Sequence, residues 1–153
     1  MLVEEKFTLA APIQKVWDFS IDPSNLGACV PGLEEVKQVD DRTYVATVAV
    51  KVGPIKARFK FNVSITEMDP PQHLKSVAQG ADTGLAKGGN FSMEADVDLR
   101  EISKDEVEFS YRMVVNIVGK FATFGERVMR AKAKELGSIF VQNVREKIET
   151  RTA

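Results

Sequence analysis

Only one histidine and one cysteine occur among the 153 residues, so few groups are available as general base, nucleophile or metal ligand. His73 follows Asp69-Pro70-Pro71-Gln72 at the mouth of a strand-like segment. Acid–base catalysis needs such a ring held at a reacting atom and oriented by a second group. Here the setting reads as a solvated turn. Cys29 alone cannot form an intramolecular disulfide, and one cysteine with one histidine does not assemble a zinc site. It reads as a small buried apolar group ahead of Pro31-Gly32.

Glu94, Asp96, Asp98 and Glu101 look like a carboxylate cluster. Alternate residues of an extended segment face opposite sides, however, and the first three stand opposite Phe91, Met93 and Val97. They belong to a solvated sheet face, and only Glu101, at a strand end, has inward parity. The stretch from Gly80 to Gly89 is rich in glycine but lacks the Gly-Lys-Ser/Thr ending of a phosphate loop, and no helix follows it. It reads as a hairpin connection. The expectation is no catalytic set, no metal and no resident cofactor.

Periodicity supplies the elements around these residues. Residues 2–10 fit a first strand with Phe7 and Leu9 on one face, and Pro12 suits the first turn of a helix faced by Ile13, Val16 and Trp17. Asp22-Pro23-Ser24 starts a second short helix through Leu26, and Pro31-Gly32 ends it. Strand signals follow at 36–39, 44–52 and 55–65, the last alternating apolar and polar throughout, with Gly53-Pro54 as a tight turn. Residues 74–79, 91–99 and 107–117 continue the pattern.

From Lys120 the period changes. Phe121, Phe124, Val128, Ala131, Leu136, Ile139, Phe140, Val144 and Ile148 recur near helical spacing, for a helix of about 28 residues or roughly 42 Å. Antiparallel strands with a short helical insert and a long terminal helix make an α+β layer fold.

No repeat, low-complexity tract or linker divides the chain, so one domain over 1–153 is expected. Hydrophobic residues at 44% and charged residues at 28% are ordinary globular usage. A net charge of −1 lacks the basic footprint that nucleic acid requires. No apolar run approaches the roughly 20 residues that span a bilayer. MLVEEKFTLA carries two glutamates where a secretory signal would be positive, so a cytoplasmic location is expected. From Gly119 onward eight Lys/Arg stand against four Asp/Glu. That excess reads as the wet side of the long helix, with anionic lipid or an acidic partner as the alternative.

Four stretches resemble a known family: Ala28-Cys29-Val30-Pro31-Gly32, the run from Val50 through Val52-Gly53-Pro54-Ile55-Lys56-Ala57 to Phe59, Asp69-Pro70-Pro71, and Gly119 through Phe121 and Phe124 to Arg127. In this order they are similar to the CoxG family of carbon monoxide dehydrogenase subunits, within the START-like, polyketide cyclase-like helix-grip superfamily. The resemblance implies a seven-stranded curved antiparallel sheet gripping the C-terminal helix, with two short helices closing one end. It also implies a cavity for a hydrophobic molecule such as an isoprenoid quinone or other lipid. The family is linked with molybdenum-containing hydroxylases, including carbon monoxide dehydrogenase, as membrane attachment or quinone carrier. Some members carry a C-terminal tail for membrane contact; with the sequence stopping at Ala153, none is expected here, and any membrane contact would be peripheral, at the inner face.

Under this resemblance Phe59, Phe61, Phe91, Met93 and Met113 line the cavity from the strands. Trp17, Leu26 and Val30 form its lid, and Phe121, Phe124 and Val128 its helix wall. Periodicity alone locates an apolar interior without showing whether it is hollow. Two other readings share the fold: a cyclase- or hydrolase-like enzyme working through His73 or Tyr111, and a purely structural adaptor.

Overall fold

Where apolar and polar residues alternate, the chain is extended. β1 (Leu2–Leu9), β2 (Leu33–Asp40), β3 (Thr43–Val52), β4 (Ile55–Asp69), β5 (His73–Asp82), β6 (Asn90–Ser103) and β7 (Glu106–Val118) form one antiparallel sheet in the order β1-β7-β6-β5-β4-β3-β2. The structure, a computed structural model, describes residues 1–83 and 89–150; within the expected glycine-rich connection, positions 84–88 lie outside them. Sequential strands from β2 to β7 are hairpin neighbours, and β1 closes the far edge beside β7.

Two departures from simple periodicity matter. β4 runs past the expected end at Ile65 through a bulge between Ile65 and Glu67. The extra residue shifts parity, so Met68 pairs with inward Leu74 and packs against the core. At the C-terminal end, the single helix expected from Phe121 onward is two pieces. A 3-10 turn spans Lys120–Phe124, Gly125 stands at φ 85°, and the long helix follows as α3 (Glu126–Thr150). That left-handed backbone suits a residue without Cβ. Phe121 and Phe124 therefore belong to the turn rather than to the helix.

α1 (Ile13–Ser20) buries Val16, Trp17 and Phe19, and α2 (Pro23–Gly27) is capped by Asp22, whose carboxylate accepts from the Ser24 N–H at 2.9 Å. α3 is fastened along β1. Arg130 donates to the Leu2 carbonyl at 2.8 Å, Arg145 to the Thr8 carbonyl at 3.1 Å, and Glu149 accepts from the Ala10 N–H at 2.8 Å. Part of the helix's basic excess is thus spent on β1 rather than on an outside partner. Asn143 also donates to the Cys29 carbonyl at 3.0 Å, and Cys29 itself is fully buried, as its sequence setting suggested.

The apolar interior falls into two clusters. The larger joins Phe7, Leu9, Val107 and Phe109 of the sheet to Trp17, Phe19, Val144 and Ile148 of the helices. The smaller, at the opposite end, gathers Val52, Ala57, Phe59 and Phe121.

Candidate ligand-binding site

Residues opposite one another on antiparallel neighbours share a face, so the register gives the inner surface row by row. One row reads Ala46–Phe61–Gly80–Phe91–Ile117, and its aromatic members pack on the smaller cluster. A row nearer the other end reads Met68–Leu74–Val97–Tyr111–Glu5 and borders the larger cluster. Between them lie Tyr44–Val63–Ala78–Met93–Val115 and Ile65–Ser76–Ala95–Met113–Val3. Small side chains, Ala78, Ser76 and Ala95, hold the centre of these two rows.

α3 repeats the arrangement from above. Residues four apart share one helix stripe. On that stripe Met129 packs on the smaller cluster, Ala133 comes next, and Gly137 is buried over Tyr111. Among the described residues of α3 only Gly137, Val144 and Ile148 are buried; from Glu126 to Leu136 its apolar residues are half-buried or exposed. Facing them, Phe61, Phe91, Met93 and Met113 are half-buried too.

The expected lining residues divide accordingly. Phe61, Phe91, Met93 and Met113 are half-buried on the inner face. Phe59 and Phe121 are buried, 5.6 Å apart between ring centroids, as the core of the smaller cluster, with Phe124 half-buried beside them. Trp17 is sealed in the larger cluster; Leu26 packs half-buried against it, and Val30 is half-buried. Val128 is 43% exposed near the start of α3. Two surface recesses, of about 580 and 520 Å3, lie elsewhere, around Ile13 with Leu99 and around Phe19 with Ile148.

Polar groups on the inner face were less legible. Glu101, expected to turn inward, is exposed, and the inward carboxylate is Glu5. The signal was present: Glu5 shares strand parity with Phe7 and Leu9. It stands directly opposite Tyr111, whose ring meets Phe140 of α3 edge-on at 5.8 Å. Burial first, and then the Glu5 charge, push the Tyr111 hydroxyl up to about 12. The hydroxyl therefore stays protonated at neutral pH and acts as a donor.

His73, expected as a solvated turn residue at the mouth of a strand, is the first residue of β5 and is held by carboxylates. It opens β5 on the outer face, with Nδ1 2.8 Å from Asp98, and Nε2 3.4 Å from Glu67 and 3.8 Å from Asp96. Among the described residues no His, Cys, Asp and Glu group could hold a metal ion. The hydrogen bond to Asp98 raises the His73 pKa above 6.5, partly opposed by desolvation and aided by the Asp98 charge, Glu67 and Asp96. A raised folded value means stabilisation that is full below pH 6.5 and fades as pH climbs through the folded pKa. The gap in urea midpoint between the protein and its His73→Gln variant should therefore be wider at pH 5.5 than at pH 9. An equal gap at both would show that the imidazolium contributes nothing.

A curved seven-stranded sheet, a long C-terminal helix across it and two short helices at one end define a START-like helix-grip protein. Within that class the chain belongs to the CoxG family of carbon monoxide dehydrogenase subunits, which matches residues 6–149. A search of curated proteins found no match. Among solved structures it is similar to a conserved protein from Geobacillus kaustophilus, with 23% identity and TM-score 0.88, covering 98% of this chain and 96% of that one. A START superfamily protein from Mycobacterium smegmatis shares 9% identity with TM-score 0.70 over 97% of each chain. The Zhui aromatase/cyclase from Streptomyces shares 15% identity with TM-score 0.67, covering 100% of this chain and 96% of that one. At such identities these structures speak for the fold.

Proposed function

We propose that this chain binds a hydrophobic small molecule, an isoprenoid quinone or a lipid of similar form, between its sheet and α3. It would serve as carrier or membrane-recruiting accessory to a molybdenum-containing oxidoreductase such as carbon monoxide dehydrogenase. The supporting observation is that four large apolar residues of the inner face, Phe61, Phe91, Met93 and Met113, stay half-buried, as do Met129, Ala133 and Leu136 of α3. Methionine adapts to a flexible guest. A guest burying about 400 Å2 of apolar area would gain roughly 10 kcal/mol gross. Lost motional freedom takes several kcal/mol, which leaves affinity near micromolar. The family relationship supports the partner class, and the working place would be the cytoplasm or the inner face of the membrane. No described helix is long and apolar enough to cross one.

The purified protein, extracted with organic solvent and analysed by mass spectrometry, should yield a lipophilic guest, and the stripped protein should bind added short-chain quinone near micromolar concentration. Repeated absence of both would end the carrier reading. A second reading, enzymatic conversion of the guest, is favoured by one observation: Tyr111 and Glu5 stand together on the inner face. It requires turnover of the guest that disappears in Tyr111→Phe.

A further inference from the structure

On the inner face, in the row that borders the larger cluster, stands a pair of polar groups. Tyr111 and Glu5 are direct partners across β7 and β1. A Cβ at Gly137 would lie 2.9 Å from the Tyr111 hydroxyl and 3.7 Å from Glu5 Oε1, so the glycine leaves space where phenol and carboxylate reach α3. Tyr111 is only 8% exposed, yet its hydroxyl makes no hydrogen bond with a described residue. Every fully enclosed side-chain nitrogen or oxygen among the described residues has a partner. The Tyr111 oxygen therefore still meets open space. Glu5 likewise forms no hydrogen bond or ion pair with a described residue. An accessible hydroxyl in so small an opening pairs with water, and a guest whose head carries an acceptor takes that water's place.

We infer that Tyr111 and Glu5 recognise the headgroup of the guest, and that this headgroup is an uncharged hydroxyl, alcoholic or phenolic, rather than a carboxylate. A hydroxyl accepts from Tyr111 while donating to Glu5. A carboxylate also accepts from Tyr111 but meets the like charge of half-buried Glu5. A bare hydrocarbon satisfies neither group. A hydroquinone belongs to the favoured class, whereas the oxidised quinone offers Tyr111 an acceptor and Glu5 no donor. The inference rests on the carrier reading and says which guests that site prefers.

Displacement of Nile red at pH 8 by dodecanol, dodecanoate and dodecylammonium tests it, since the tails match and only the heads differ. Dodecanol should displace the dye at a concentration at least about tenfold lower than dodecanoate, and dodecylammonium should also outcompete dodecanoate. Glu5→Gln should bring dodecanoate to within about threefold of dodecanol, and Tyr111→Phe should weaken dodecanol by about fivefold. Dodecanoate matching or beating dodecylammonium on the wild-type protein overturns the inference without recourse to any variant. So does an alcohol-to-acid ratio unchanged in both variants. If Nile red does not bind the wild-type protein, the carrier reading falls and takes this inference with it. If the dye binds and is displaced without headgroup preference, this inference alone falls.

Discussion

A Phe109→Ala variant should lose about 3–5 kcal/mol of unfolding free energy, read from urea denaturation midpoints and slopes. Phe109 is 1% exposed and stacks on Phe7 with ring centroids 5.0 Å apart. It lies in register between Leu99 of β6 and Phe7 of β1. Val144 and Ile148 of α3 share its cluster with Val16 and Trp17 of α1. Truncation there leaves a cavity where sheet, long helix and lid helix all meet, and that is the place least able to collapse around the loss. Phe124→Ala makes the comparison. Its ring is half-buried at the edge of the smaller cluster, so its removal should cost less than about 2 kcal/mol. Equal losses in the two variants would contradict a core whose main weight lies at the β1–β7 end.

The strands were readable because one face of this sheet is buried and the other wet, which writes a period of two into the side chains. From Ile55 to Ile65 and from Val107 to Val115 the alternation predicts the inward set residue by residue. It fails where the backbone departs from regular pleating. The bulge between Ile65 and Glu67 changes parity without any marker such as glycine or proline. The break at Gly125 has a marker, yet a lone glycine inside an otherwise helical pattern does not by itself announce a 3-10 turn followed by a new helix. The short signal at 36–39 became the eight-residue β2 because an edge strand needs little apolar content beyond Leu33 and Val36, whose side chains lie against Gly27 of α2.

The candidate lining was read from side-chain size, and size does not separate a lining residue from a core residue. A search for large apolar residues finds what fills space, and a ligand site is made by what does not. Phe59, Phe121 and Trp17 stood out for their size and turned out to be sealed into the clusters. Ala78, Ser76 and Ala95 carry no conspicuous chemistry, and their place side by side on the inner face appears only when the register aligns them. Glu5 was hidden differently, because a glutamate near a chain start reads as surface until Phe7 and Leu9 fix the face it shares. The resemblance to the CoxG family favoured a hollow interior, whereas periodicity alone left packed and hollow readings open.

Replacing Met93 with tryptophan should decide between them. Met93 is half-buried, pairs with Ala78 and Val115, and belongs to neither cluster. In a filled interior the larger ring would be overpacked and would destabilise the fold by about 1–3 kcal/mol. Beside a ligand cavity the added ring has room to turn inward. Stability should then stay within about 1 kcal/mol of wild type while the affinity for an apolar dye such as Nile red falls by at least about tenfold. Met93→Ala should do the reverse, keeping or improving dye binding, since it enlarges the space. Binding lost while stability is kept is what a filled core cannot produce on adding one ring, because in such a core no dye binds and extra volume only strains. A Met93→Trp protein that loses 1–3 kcal/mol, with unchanged dye affinity, would mean that the two clusters touch in solution and that the dye sits elsewhere.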